Sequence, residues 1–355
     1  MFTGGLFLKV FSSRKRELVG GQVETRWRML PAIIMVVPYI IWAGYRGSVG
    51  DTGLYRKGFQ NAPASLGALV QYVNETNKDK GYAVFTVLLK TVIGNSDVLF
   101  FLIIAAFQIL CICFIYRKYS LNLWFSFFLF IASADYISWV FNGMRQFIAV
   151  TLIFACLPLL LKKKYIPVIL CILLAATFHA TALLMIPVIF IVQGRAWNKK
   201  TLFFIVAVIV AVLFIDQFTT VLQDMLTNTQ YENVMTDELW QNDNGTNPLR
   251  VALYTLPAVL ALVARKYVEQ DGEELINLCV NMSVMTAGIY IVSMVTSGIY
   301  IGRLPIYTSL YSYILLPWLI EHVFERRSWK LLYSGFIVVY LVFFFYQMHF
   351  AWGII

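Results

Sequence analysis

The chain has 355 residues, 60% of them apolar and 13% charged, with a net charge of +9 and a mean hydropathy of +0.73. A soluble domain carries about a quarter charged residues, so this composition excludes one. The apolar runs are too continuous for an outer-membrane barrel, and windows near the roughly 20 residues that a bilayer requires recur from end to end. The basic residues sit in short clusters beside apolar runs, which fits positive-inside topology better than a nucleic-acid surface. The expected fold is an all-α polytopic transmembrane bundle of about 11 spans (10–12), one membrane domain over residues 1–355.

Arg14-Lys15-Arg16, Arg26 and Arg28 precede the first predicted span, Met29–Tyr45, and put the N-terminus in the cytoplasm. Residues 1–28 lack the apolar run and small-residue site of a cleaved signal peptide. The chain then leaves the membrane through Tyr45-Arg46-Gly47-Ser48-Val49-Gly50-Asp51-Thr52, where glycines permit tight turns beside fixed charges. After a polar loop, Tyr82–Ile93 is too short to span and reads as an amphipathic or re-entrant helix. Asn95-Ser96-Asp97 caps the next span, Val98–Tyr116. Leu121–Phe141 is predicted as one continuous span, reaching the outside at Asn142-Gly143-Met144-Arg145, and the chain returns to Lys162-Lys163-Lys164.

Tyr165–Gln193 is long for one crossing and short for two. Two short crossings that break near His179 gather the basic clusters inside, so that reading is preferred. Such a break is tolerated only where the backbone is buried in protein or lines a watery cavity. Thr201–Ile215 goes out, Asp216–Asn247 forms an acidic extracytoplasmic loop, Leu249–Ala264 returns, and Leu275–Thr296 goes out again. Arg303 opens the span Leu304–Ile320, and Leu331–His349 is the last. The acidic loop holds Asp216, Asp224, Glu232, Asp237, Glu238 and Asp243 without a Lys or Arg. It reads either as a lid or as a solvated loop, with Trp240 and its amide-rich neighbours suited to sugar contact.

The chemistry-bearing residues cluster at the predicted outer level. Arg46, Arg145, Arg250 and Arg303 are permanent cations whose planar donor forks match phosphate oxygens, and several at one level point to an anionic ligand such as a lipid diphosphate. Taken singly, each also suits a snorkelling anchor. His179 titrates near neutral pH and is a candidate general base, or else a histidine bonded to backbone at a helix break. Asp51 is placed to pair with Arg46 or to orient a sugar hydroxyl, and Asp135 to form an ion pair with Arg145. Cys111, Cys113, Cys156, Cys171 and Cys279 read as apolar fillers, and no His/Cys cluster has metal-site spacing. Nucleotide-binding and hydrolase motifs are absent from the sequence.

These elements together resemble the EpsG family of membrane proteins, relatives of the Wzy polysaccharide polymerases. Arg46-Gly47-Ser48-Val49-Gly50-Asp51-Thr52 resembles its opening motif, and Asn142-Gly143-Met144-Arg145-Gln146 with the Lys162-Lys163-Lys164-Tyr165 turn its central one. Phe178-His179-Ala180-Thr181-Ala182-Leu183 and Gly302-Arg303-Leu304 with Tyr307 resemble the last two. Lys78-Asp79-Lys80-Gly81-Tyr82 departs from the acidic pair that many relatives carry before the short helix, which leaves an acidic role there in doubt.

The resemblance implies a multi-pass protein of the bacterial cytoplasmic (inner) membrane that polymerises exopolysaccharide, capsule or O-antigen repeat units. It would be a glycosyltransferase that moves a growing glycan from undecaprenyl diphosphate to an incoming lipid-linked unit, using no cofactor, metal or nucleotide sugar. The implied roles are Arg145, His179 and Asp51 in catalysis, with Arg46, Arg145, Arg303, Asn142 and Tyr307 binding the diphosphate and sugars. Expected partners are the lipid-linked oligosaccharide, membrane lipid, a flippase and a chain-length regulator, and no nucleic acid. A transporter or flippase for the same oligosaccharide is the main alternative, disfavoured by the lack of an internal repeat. A ligase of the O-antigen type shares the chemistry and differs only in acceptor, and a membrane acyltransferase has little support.

Overall fold

The computed structural model describes residues 14–19, 22–226 and 238–354. Helices dominate them, preceded by one antiparallel hairpin of β1 (Arg14–Val19) and β2 (Gln22–Trp27), in which Arg14 faces Trp27 and Val19 faces Gln22. The hairpin was not expected from the sequence. Cα packing divides the chain into two compact units, residues 1–183 with 327–355, and residues 184–326.

The first unit contains α1 (Met29–Gly44), α2 (Thr52–Asn61), α3 (Leu69–Glu75), α4 (Lys80–Ile93), α5 (Asp97–Tyr119), α6 (Leu123–Ala132), α7 (Met144–Ala155) and α8 (Tyr165–Phe178). α1 lies along α5, close enough that a Cβ on Gly44 would collide with Leu102, so a small residue sets the helix spacing. α5 begins as the sequence predicts, with the Ser96 side chain accepting from the Leu99 amide. The predicted continuous span Leu121–Phe141 is instead broken. α6 stops, Ala134 takes a left-handed φ of +67°, and a π-helical stretch, Tyr136–Asn142, continues at an angle of 67°. Asp135 lies fully buried at this break, accepting from the Trp139 indole at 3.2 Å. A hydrophobic cluster of Tyr55, Phe59, Phe100, Phe101, Met144 and Ile148 ties α2, α5 and α7 together. The last helix of the chain, Trp329–Tyr346, closes this unit against α6, with the Tyr333 ring edge-on to Phe125 at 4.7 Å.

The second unit contains α9 (Met185–Ile191), α10 (Lys199–Leu213), α11 (Ile215–Leu226), α12 (Pro248–Val263), α13 (Arg265–Asp271), α14 (Glu274–Met294) and α15 (Ser312–Val323). Asn281, fully buried on α14, is its organising residue. Its amide accepts from the Trp197 amide and the Thr201 hydroxyl and donates to the carbonyls of Val192 and Arg195, all at 3.0–3.2 Å. Inside an apolar bundle such a satisfied polar group pins one packing arrangement. Hydroxyl pairs Ser283–Ser312 (2.9 Å) and Thr286–Thr308 (2.7 Å) join α14 to residues 306–323. The loop predicted over Asp216–Asn247 begins as helix α11, which leaves α10 at 107°. Glu232 and Asp237 of that loop lie outside the described residues.

Four helices among the described residues are long and apolar enough to cross a membrane: Asp97–Tyr119, Met144–Leu161, Glu274–Met294 and Trp329–Ala351. Counting three bent pairs as spans gives up to seven. The expected figure of about 11 exceeds this because Met29–Gly44, Tyr165–Phe178 and Ala180–Ile191 are apolar but shorter than a straight crossing, and the predicted span Leu304–Ile320 is split into Ile306–Ser309 and Ser312–Val323. The protein is an integral membrane helical bundle.

Candidate functional site

In the first unit the residues from Arg46 to Tyr55 wrap the turn that carries Arg145. Arg46 is only 2% exposed. It donates from Nε to the Ala43 carbonyl (2.6 Å) and from Nη1 to the Val140 carbonyl (2.8 Å), with its guanidinium between the Phe101 and Phe141 rings at 4.3 and 4.8 Å. Its expected partner was Asp51 or a ligand; instead it clamps the opening loop to the π-helical stretch, and Nη2 alone has no protein partner. Gly50, at a left-handed φ of +59°, lets the loop approach Phe141 and Asn142. Asn142, with its amide nitrogen turned to Asp51, donates to the carboxylate at 3.1 and 3.3 Å. Tyr55 donates to the Asn142 carbonyl at 3.1 Å.

Arg145 follows in the first turn of α7. The expected partner was Asp135; the observed one is Asp79, whose Oδ2 lies 2.8 Å from Nη1. The Asp79 side chain is 7% exposed and that of Arg145 35%. The Tyr82 ring lies 5.8 Å from the guanidinium, and the Tyr55 phenol meets it too. Burial pushes the Asp79 carboxyl above its ordinary value, outweighing the opposite pull of Arg145 and Lys78. Asp79, in the Lys78–Tyr82 segment where the family's acidic pair is missing, is thus the acid that holds Arg145. Its one legible signal is position, immediately before α4.

α8 brings His179 to the same corner. Gly81, two residues after Asp79, packs so closely on Thr177 that a Cβ would collide with it, and Phe85 meets Phe178 at 6.0 Å. α8 ends at Phe178, so the predicted break at His179 is present. His179 is extended (φ −160°), its amide bonded to the Ala175 carbonyl and its Nδ1 2.6 Å from the Thr181 hydroxyl. Arg46, Asp51, Asn142, Arg145 and the His179 break thus share one corner of this unit.

Arg303 and Tyr307 belong to the second unit. Arg303 is exposed at the end of a short 3-10 turn, Ile301–Arg303, while Tyr307 is buried in the helix Ile306–Ser309. Asp243 shapes this region in a way the sequence did not reveal. Its carboxylate accepts from the Ser297 hydroxyl (2.6 Å) and from the amides of Ile299 (2.8 Å) and Gly245 (3.0 Å). Burial opposes its ionisation, but these donors prevail and hold its carboxyl below the ordinary value. Thr246 closes the clasp on Ser293 at 2.8 Å, and Trp240 rests against Tyr300 at 5.8 Å. Arg250, one turn further on, lies 5.7 Å from the Tyr254 ring.

The EpsG family model matches residues 29–352, so it takes in both units and every one of these residues. The chain belongs to the EpsG family. EpsG proteins are Wzy-like polysaccharide polymerases, and membership gives this chain a general role in polysaccharide polymerisation. No curated protein and no solved structure matches it. No group of three metal-ligating side chains occurs among the described residues, and all five cysteines are free thiols.

Proposed function

We propose that this EpsG-family protein extends a surface polysaccharide at the outer face of the bacterial cytoplasmic membrane. It would transfer the growing glycan from undecaprenyl diphosphate to a sugar hydroxyl of an incoming lipid-linked unit. The observation that carries this reading is Arg145, a cation oriented by buried Asp79 and by Tyr82 yet still 35% exposed. A fixed and partly exposed charge is what a departing diphosphate requires, since the charge that develops there must be met without reorganisation.

In this mechanism the anomeric carbon loses its bond to the diphosphate and gains one to the acceptor oxygen. Undecaprenyl diphosphate leaves with the bonding electron pair, held by Arg145. The acceptor's proton passes to His179, at Nε2 in the tautomer whose Nδ1–H donates to the Thr181 hydroxyl. Arg46, buried, acts as a positioning residue for the turn, and Asp51 with Asn142 orients the acceptor sugar. Arg303 and Tyr307 remain assigned to substrate binding, to be tested by themselves.

The test is reconstitution in liposomes with a lipid-linked repeat unit, without nucleotide sugar or added metal. Longer lipid-linked glycans are expected from the native protein and none from Arg145→Ala at equal folded yield. Native chain lengths from Arg145→Ala would overturn the assignment. Arg303→Ala is expected to lower polymer yield in the same assay, and an unchanged yield removes Arg303 from the scheme.

A further inference from the structure

The second unit holds a cavity of about 600 Å³ among α10, α12 and α14. That volume falls within the ~300–1,000 Å³ of pockets that enclose an apolar small molecule. Its floor is Phe204, Ala258, Ala287 and Gly288, where the missing side chain of Gly288 leaves room for the Phe204 ring. Its rim includes Leu213, Val259 and Leu262, all about half exposed or more, so the cavity opens sideways. Only Thr255 and Arg265 among the lining residues carry polar side chains beyond the Trp197 indole.

The charge lies at one end. Arg265 sits 5.9 Å from the Trp197 ring, and Trp197 belongs to the loop that Asn277 and Asn281 fasten to α14. Arg195, Lys199 and Lys200 flank Trp197 in sequence and are exposed, and Lys266 follows Arg265. By the positive-inside rule this is the end that faces the cytoplasm. α10, with 15 residues, is about 22 Å long, enough to line an acyl chain through one leaflet of a ~30 Å hydrocarbon core.

We propose that this groove is a binding site for an anionic glycerophospholipid, one acyl chain in the cavity and the phosphate on Arg265. The basic end supplies the charge complementarity, and the apolar floor supplies the chain site. Arg265 now pairs with Glu269 at 2.6 Å, but both side chains are more than half exposed, so the pair is weak and a phosphate competes for the guanidinium. The inference is independent of the polymerase mechanism, because Arg265 has no part in it.

Native mass spectrometry of the full-length protein, released from nanodiscs of mixed phosphatidylglycerol and phosphatidylcholine, tests the site. Phosphatidylglycerol should be retained about tenfold over phosphatidylcholine, because both carry a phosphate but the choline cation of the second is repelled by the basic end that attracts the net negative charge of the first. Arg265→Gln should remove that preference, and Val259→Trp, which fills the groove from its exposed rim, should reduce retention of both lipids. Lys57→Gln, a surface charge in the first unit, should change neither. Equal retention of the two lipids by the native protein would overturn the proposal, as would an unchanged preference in Arg265→Gln. Displacement of phosphatidylglycerol by sub-stoichiometric polyprenyl diphosphate would also overturn it, by assigning the groove to the carrier.

Discussion

The Asp79–Arg145 pair joins a buried acid to a base about one-third exposed, and the two ends respond differently to substitution. Arg145→Lys keeps the charge but loses the planar fork, so polymerisation should fall by ~10²-fold without reaching the blank of Arg145→Ala. Because the folded Asp79 value is raised, its titration favours the folded state in acid, and that contribution fades as pH rises through the folded value. The functional sign is the reverse. As pH falls, Asp79 takes up its proton and releases Arg145 at a pH above the ~3.9 of an exposed aspartate. Asp79→Asn should therefore remove the part of the acidic limb of the polymerisation pH profile that Asp79 sets, leaving the part set by protonation of the general base His179, with melting temperature little changed because Arg145 stays partly exposed. An acidic limb identical in Asp79→Asn would rule out this coupling.

Two elements depend on polar clasps. Lys90, 4% exposed on α4, donates from Nζ to the carbonyls of Phe59, Gln60 and Ala62 at 2.6–3.0 Å, so it caps the C-terminal end of α2. Lys90→Met strands those carbonyls and should cost about 3 kcal/mol, read as a lowered denaturation midpoint. The Asp243 clasp works through a depressed value, so its contribution is present above the unfolded value near ~3.9 and is lost as pH falls through the folded one. Asp243→Asn should loosen residues 293–302 at neutral pH, detected as faster amide exchange there. Gly245 adds a backbone requirement, since at φ +78° a Cβ would strike the Met294 carbonyl. Gly245→Ala should destabilise this region more than Gly53→Ala, which has open space around it.

For the whole molecule, the basic clusters predict orientation. A single cysteine introduced at Lys162 in a variant lacking native cysteines should react with an impermeant maleimide only from the cytoplasmic side. Labelling from outside would invert the proposed topology and move Arg145 away from the outer face. The free native thiols carry a related expectation: reducing agent should leave the melting temperature unchanged.

Much of the site was legible one residue at a time, because a cation or a histidine amid lipid-like sequence stands out by its desolvation cost. Arg145 and the break at His179 stood out this way, while the Ser96 cap was read from the Asn95-Ser96-Asp97 pattern. Asp79 and Asp243 did not stand out, since an acid in a polar loop has no such contrast until a fold buries it. Likewise Asp135 was expected to pair with Arg145 and Arg46 with Asp51, but the structure turns Asp135 to an indole and Arg46 to carbonyls and rings.

Composition and hydropathy alone determined that the chain is a helical membrane protein, since apolar windows near membrane length leave few other solvents open to it. Motif order alone pointed to the EpsG family. Tertiary structure decided which helices bend, which acid holds Arg145 and where a lipid-sized groove opens. Those depend on contacts between residues dozens of positions apart, such as Arg145 with Asp79 and Asn281 with Val192, that no local pattern encodes.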